Sequence, residues 1–205
     1  NENATKEDKA TIASGIMFVC SSYPRFLTDN WSFLKEIEKK LFDFMQNDFP
    51  GVKEMAVDSF TRIAEKCRSK FLLPESNGDP AFIEILIRDF DGITSHLSNE
   101  LRAEMVKATA IIIAGCRDDG QKGKLTHDLM VEMNNKWLFQ INQFVANDPN
   151  CLINILFILR CNMFVASNVG LAYQGQLQTI IDQMITMYGS CCGTCTNMID
   201  QGGDA

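Results

Sequence analysis

The sequence predicts an all-α fold, an α-solenoid of antiparallel helix pairs. Three observations carry that expectation. Apolar residues recur at helical spacing along nearly all of the 205 residues. Strand signals are scarce, and no Asn-Gly pair joins two alternating runs as a hairpin would require. Pro24, Pro50, Pro80 and Pro149 each precede an apolar-periodic run. Proline suits the first turn of a helix, where its missing N–H costs nothing.

The pattern gives helices at about 8–22, 25–47, 51–69, 80–95, 98–115, 122–147, 150–168 and 170–189. Asp79 and Asp148 precede two of the prolines and are read as N-caps. The polar stretch from Pro74 to Asp79 reads as a loop, and residues from Ser190 onward as a frayed end or an incomplete helix. Val52, Met55, Ala56, Phe60, Ile63 and Cys67 share one face of their helix. Leu101, Met105, Ala108, Ile112 and Cys116 share a face of another. The helices pair as 25–69, 80–115 and 122–168, with 8–22 alone in front and 170–205 incomplete behind. The chain is thus one segment, 1–205, of stacked pairs.

The pair starts at 25, 80, 122 and 170 are spaced 55, 42 and 48 residues apart. Spacing in the forties marks HEAT or armadillo arrays. Each pair is too small to bury its own apolar faces, so stacking supplies the core. A globular helical bundle is the competing fold.

Composition narrows the function. With 46% hydrophobic and 22% charged residues, the chain can bury a sizeable core. A net charge of −7 argues against a nucleic-acid surface, which gathers Lys and Arg on one face. No signal peptide is readable at Asn1, and the missing initiator methionine suggests a piece of a longer protein. The most apolar window, Cys151 to Tyr173, holds Asn154, Arg160, Asn162 and Asn168, which suits a buried helix pair better than a membrane span.

Of eight cysteines, Cys20, Cys67, Cys116, Cys151 and Cys161 sit singly in apolar patterns and read as core thiols of a reducing compartment. Cys191 adjoins the Cys192–Cys195 C-x-x-C, which lacks the second pair that zinc needs and the strand that thioredoxin chemistry needs. His96 and His127 read as surface or cap residues, and no phosphate-loop, dinucleotide or zinc-protease motif occurs. Asp89/Asp91 and Asp118/Asp119 read as solvated turn residues. Lys35, Lys39 and Lys40, mixed with Glu36 and Glu38, read as a salt-bridged face. No cofactor is implied, and the chain does not read as an enzyme.

The segment Arg25 to Asn47 has more apolar surface than one packing face uses. At 100° per residue, Leu27, Leu34, Leu41 and Met45 fall within about 40° of one another, with Trp31 and Phe42 widening that stripe. Phe26, Phe33, Ile37 and Phe44 form a second stripe roughly 90° away. The arc approaches ~180°, against ~100° for an ordinary surface helix. Both stripes pack internally in one reading. In the other, the second lines an exposed groove for an amphipathic peptide, with Lys40 one turn from Ile37 and Phe44.

IASGIMFVCSSYPRFL at 12–27, FLKEIEKKLFDFM at 33–45 and GVKEMAVDSFTRIAEKCR at 51–68 resemble the central HEAT repeats of the exportin-one, or chromosome-region-maintenance, family of nuclear export receptors. The resemblance is specific over about 10–70 and continues as hydrophobic pattern to about 190. It implies a karyopherin that binds leucine-rich export signals of cargo proteins in an outer groove, cooperatively with GTP-bound Ran. It also implies nucleoporin partners and shuttling between nucleus and cytoplasm, with no nucleic-acid or membrane partner. The groove residues it implies are Ala13, Met17, Phe26, Phe33, Ile37, Lys40, Phe44 and Met55, with Lys9 at the rim. Helix 8–22 would then be a B helix, and the groove's other wall, with the cysteine that family inhibitors modify, would lie upstream of Asn1. The family usually has threonine where Glu36 stands and glutamate at Asp43 and Asn47, so the rim charge differs. A generic helical scaffold and a thiol enzyme using Cys192 and Cys195 are the alternative readings.

Overall fold

The computed structural model describes residues 5–74, 76, 78–142 and 149–202; within the last stretch, side chains are described for 150–189, 192 and 193. The elements are α1 (Lys6–Ser22), α2 (Pro24–Asp29), α3 (Trp31–Met45), α4 (Val52–Phe71), α5 (Phe82–Arg88), α6 (Phe90–Thr94), α7 (Asn99–Ala114), α8 (Asp119–Asn142), α9 (Pro149–Val169), a 3₁₀ turn (Gly170–Tyr173) and α10 (Gln174–Gly202). No strand occurs among the described residues.

Two layers result. In one, α1, α4, α7 and α9 lie side by side in that order. In the other, α2–α3, α5–α6, α8 and α10 follow one another. Each outer helix packs on the inner helix that follows it: α3 on α4, α5 on α7, α8 on α9. The core runs unbroken between the layers, from Met17 and Leu34 through Phe60, Ile83 and Met105 to Trp137, Ile158 and Val165. The fold is therefore the stacked α-solenoid, and the bundle alternative is set aside.

Local chemistry sets the boundaries. Thr5 and Asp8 form a reciprocal capping box at α1: the Asp8 N–H donates to Thr5 Oγ1 at 3.1 Å, and the Thr5 N–H donates to Asp8 Oδ2 at 3.0 Å. Pro24 ends α1 and opens α2. The predicted helix 25–47 is in fact broken at Asn30, whose φ of −122° and ψ of 77° leave the helical region. The Asn30 side-chain amide donates to the Phe26 carbonyl at 2.8 Å, so a short polar side chain displaces the backbone ladder. The predicted helix 80–95 is likewise broken, at Asp89, whose carboxylate grips Arg88 with two bonds of 2.8 Å.

Two prolines differ from expectation. α4 starts after Pro50, with Gly51 at φ +83° as its N-cap, a conformation that only glycine adopts without strain. α5 starts after Pro80, and Glu84 rather than Asp79 takes the exposed N–H, that of Ala81, at 3.0 Å. Asp148 lies outside the described residues. The stretch from Ser190 is helical backbone to Gly202 rather than a frayed end.

The run from Asn150 to Gly189 is long and apolar enough to cross a membrane by length and composition. Here it packs into the stack instead. Val169 and Cys161 are core, and Arg160 pairs with Glu104 of α7 at 3.2 Å. A buried amide cluster ties its two halves to α8. Tyr173 donates its hydroxyl proton to Asn162 Oδ1 at 2.7 Å, and Gln176 Nε2 donates to the same oxygen at 3.0 Å. Asn134 Nδ2 donates to Gln176 Oε1 at 2.9 Å, and Trp137 Nε1 to Gln183 Oε1 at 2.7 Å.

Candidate peptide-binding groove

The two stripes of α2 and α3 separate physically. Leu27, Leu34, Leu41 and Met45 are buried in the core with Ala56, Phe60 and Ile63 of α4. Phe42 belongs with them, its ring 5.6 Å from that of Phe60 and stacked at 6.3 Å on Phe82. Trp31 sits 6.5 Å from Phe71. The second stripe faces outward at one end only. Phe26 is 55% exposed and Phe33 45% exposed, against 8% for Ile37. Phe44 is half-buried.

The break at Asn30 shapes this wall. By turning α2 relative to α3, it brings the Phe26 and Phe33 rings edge to face at 5.6 Å. Lys40 is exposed one turn beyond Ile37, with its ammonium 3.0 Å from Asp43 Oδ2. On α1, Ala13 and Met17 are buried against the core and back the wall rather than face solvent. Met55 is exposed in the first turn of α4. Lys9 is exposed and lines an open cleft of about 450 Å³ with Lys6, Asn47, Asp48, Phe49 and Pro50. The surface thus has aromatic rings at one end and lysines along its rim and far end.

Sequence reasoning missed two features. α1 exposes Ile12, Ile16 and Val19, and its C-cap Tyr23 continues the row, an apolar line beside the buried one. Their i, i+4, i+7, i+11 spacing was readable. Glu38 is not on a salt-bridged face. It is 2% exposed, and its Oε1 has no hydrogen-bond partner. Burial pushes its carboxyl up to about 9, with Lys35 opposing the shift in part. Spacing gave the signal: Glu38 lies four residues after Leu34 and three before Leu41.

Elsewhere, Cys20, Cys67, Cys116, Cys151 and Cys161 are buried free thiols, as expected of core residues. Cys192 is exposed, and the side chains of Cys191 and Cys195 lie outside the described residues. Both histidines are exposed. Asp91 is not simply a solvated turn residue, because it pairs with Arg102. No cluster of three His, Cys, Asp or Glu side chains suited to a metal occurs among the described residues.

Stacked helix pairs in two layers define a helical-repeat protein of the α-solenoid class. No protein-family model matches the chain. Curated relatives do. Over 203 residues it is 31% identical to "Protein EXPORTIN 1B" of Arabidopsis thaliana, covering 97% of this chain and 19% of that protein. Over 204 residues it is 29% identical to "Exportin-1" of Schizosaccharomyces pombe, covering 97% and 19%. Over 189 residues it is 32% identical to "Exportin-1" of Dictyostelium discoideum, covering 89% and 18%. The chain belongs to the exportin-1 family, whose members are nuclear export receptors, and it spans about a fifth of the length of these relatives.

Proposed function

We propose that this segment supplies one wall of a groove for leucine-rich export signals, within a receptor that carries cargo proteins from nucleus to cytoplasm together with Ran-GTP. The observation that carries the reading is the exposed Phe26–Phe33 pair where α2 meets α3 in the outer layer, with Lys40 two turns beyond Phe33 on the same side of α3. Aromatic rings left in water at the edge of a packed layer are poised to bury leucine-like anchors. Lys40 and Lys9 would meet carbonyls or acidic residues of the peptide, and their stems extend the apolar wall. Ala13, Met17, Ile37, Phe44 and Met55 hold that wall in place. The proposed role is binding rather than catalysis, with nucleoporins as further partners, no nucleic acid or membrane among them, and shuttling through the nuclear pore.

One wall buries only part of each anchor. A leucine half in water forgoes about half of its ~1.5–3 kcal/mol. Across several anchors, affinity falls by orders of magnitude. The 205-residue chain is therefore expected to bind a labelled leucine-rich peptide weakly or not at all in fluorescence anisotropy, and a version of the protein extended on its N-terminal side to bind it well. In the extended protein, Phe33→Ala is expected to weaken the peptide about tenfold or more, since a wall ring that a leucine anchor would cover is lost. Tight binding unaffected by Phe33→Ala would refute the groove. Tight binding by the 205-residue chain itself would show that one wall suffices.

A further inference from the structure

A second cleft lies away from this wall, where the N-terminal halves of α7 and α9 meet the C-terminal half of α8. It has two compartments that share Asn99 and Phe157. The polar compartment, about 260 Å³, is lined by Arg102, Lys136, Asn99, Gln140, Asn154 and the apolar Phe157 and Ile158. The apolar compartment, about 240 Å³, adds Ile153, Leu156, Glu100 and Arg160. Both fall below the ~300–1,000 Å³ of sites that enclose small molecules, so each suits one side chain.

The polar compartment has unspent hydrogen-bonding capacity. Arg102 Nε is buried without a partner, although the same guanidinium meets Asp91 through Nη2. Lys136 Nζ stands 3.2 Å from Glu132 Oε1 and 3.8 Å from Asp91 Oδ1. Those two carboxylates hold the cations from outside and do not line the compartment. Among the described residues, the side-chain amides of Asn99, Gln140 and Asn154 make no hydrogen bond. An amide both donates and accepts, which is what a peptide backbone requires of its host. The charge pattern also sets direction. In the apolar compartment Arg160 is paired with Glu104, while the Glu100 carboxylate would repel an incoming acid.

We propose that this cleft binds an extended peptide segment of another protein in which a carboxylate side chain stands beside a large apolar one. The carboxylate sits between Arg102 and Lys136, the three amides hold the backbone, and the apolar side chain covers Ile153, Leu156 and Phe157. On a chain of net charge −7, a polar compartment whose described lining offers two cations and no carboxylate selects for acidic segments. The site is separate from the Phe26–Phe33 wall and does not depend on it.

The test uses three fluorescein-labelled nine-residue peptides with the cores Glu-Ser-Leu-Phe, Gln-Ser-Leu-Phe and Lys-Ser-Leu-Phe, titrated into the 205-residue chain. The acidic peptide is expected to bind about tenfold or more tightly than the glutamine peptide, the difference one charge-assisted contact makes, and the lysine peptide least. Lys136→Gln and Asn154→Asp should each weaken the acidic peptide about tenfold while leaving the melting temperature in place. Arg102→Lys is the second variant at the partly buried cation, and Phe33→Ala should have no effect. Equal binding of the glutamine and acidic peptides would overturn the proposal. So would no saturable binding, or binding lost with Phe33→Ala and kept with Lys136→Gln.

Discussion

The rings of Phe26 and Phe33 meet edge to face at 5.6 Å although they belong to different helices. A continuous helix would place residues seven apart on one face but two turns, about 10 Å, from each other along the axis. The break at Asn30 closes that distance. A side-chain hydrogen bond to the Phe26 carbonyl therefore creates an exposed aromatic pair that periodicity alone spreads along a helix.

Lys40 and Leu41 are neighbours with opposite roles. Lys40 is exposed and its pair with Asp43 is on the surface, so Lys40→Ala should cost under about 0.5 kcal/mol. Leu41 is core, and Leu41→Ala should cost about 2–5 kcal/mol. Urea denaturation of both variants checks this. Comparable losses would make Lys40 a structural residue and remove it from the groove rim.

Glu38 makes stability depend on pH in an unusual direction. Its carboxyl is raised from 4.5 to about 9 in the folded chain, so the folded state holds the proton over a window in which the unfolded state has released it. Its contribution to stability is therefore greatest below pH ~4.5 and declines as pH rises toward about 9. Glu38→Leu, which removes a buried polar group, should raise the denaturation midpoint at pH 8 and flatten this decline. A midpoint unchanged or lowered at pH 8, with the slope intact, would show that Glu38 is partnered in solution.

Tyr173 is the donor end of the amide cluster, and burial pushes its hydroxyl up to about 12. Tyr173→Phe removes one of two donors to Asn162 Oδ1, and Gln176 still satisfies that oxygen. The expected cost is about 1 kcal/mol. Asn162→Leu strands the Tyr173 hydroxyl and one of the two Gln176 Nε2 protons, the other still going to Asn134 Oδ1, and should cost more, ~2 kcal/mol or above. Thermal melts that rank them the other way would contradict the network.

Cys20, Cys67, Cys116, Cys151 and Cys161 should resist a maleimide until urea is added, and the thiol of Cys161, pushed up to about 12, should react last at neutral pH. Cys192 should label in the native state. Mass spectrometry of partly labelled protein reads both.

How much of this was legible follows from which interactions each feature uses. Helical period and proline placement depend on local steric and solvation effects, so the layers and the core stripe of Leu27, Leu34, Leu41 and Met45 could be read directly. The same periodicity found the second stripe but not its uneven burial. Whether Phe33 is open and Ile37 closed depends on where α1 and α4 pass, which is tertiary. The break at Asn30 turns on one side chain competing with the backbone and that at Asp89 on a local change of backbone angles, and asparagine and aspartate also occur inside intact helices. Glu38 was misassigned because neighbouring lysines suggested a charged face, whereas its position between Leu34 and Leu41 put it on the packed one.

The amide cluster has a mechanical consequence. Apolar layers resist separation but tolerate sliding, because dispersion and burial change little over small lateral shifts. Amide-to-amide bonds are directional and fail within about an ångström of shear. The α8–α9–α10 junction, cross-linked through Asn134, Asn162, Tyr173, Gln176 and Gln183, is thus a stiff joint in a superhelix. The α1–α4 interface, built on Ala13, Met17 and Cys20, shows no such bonds among the described residues. Lateral shear of the layers is therefore expected to be resisted most at the α8–α9–α10 end and less at the end that carries the Phe26–Phe33 pair.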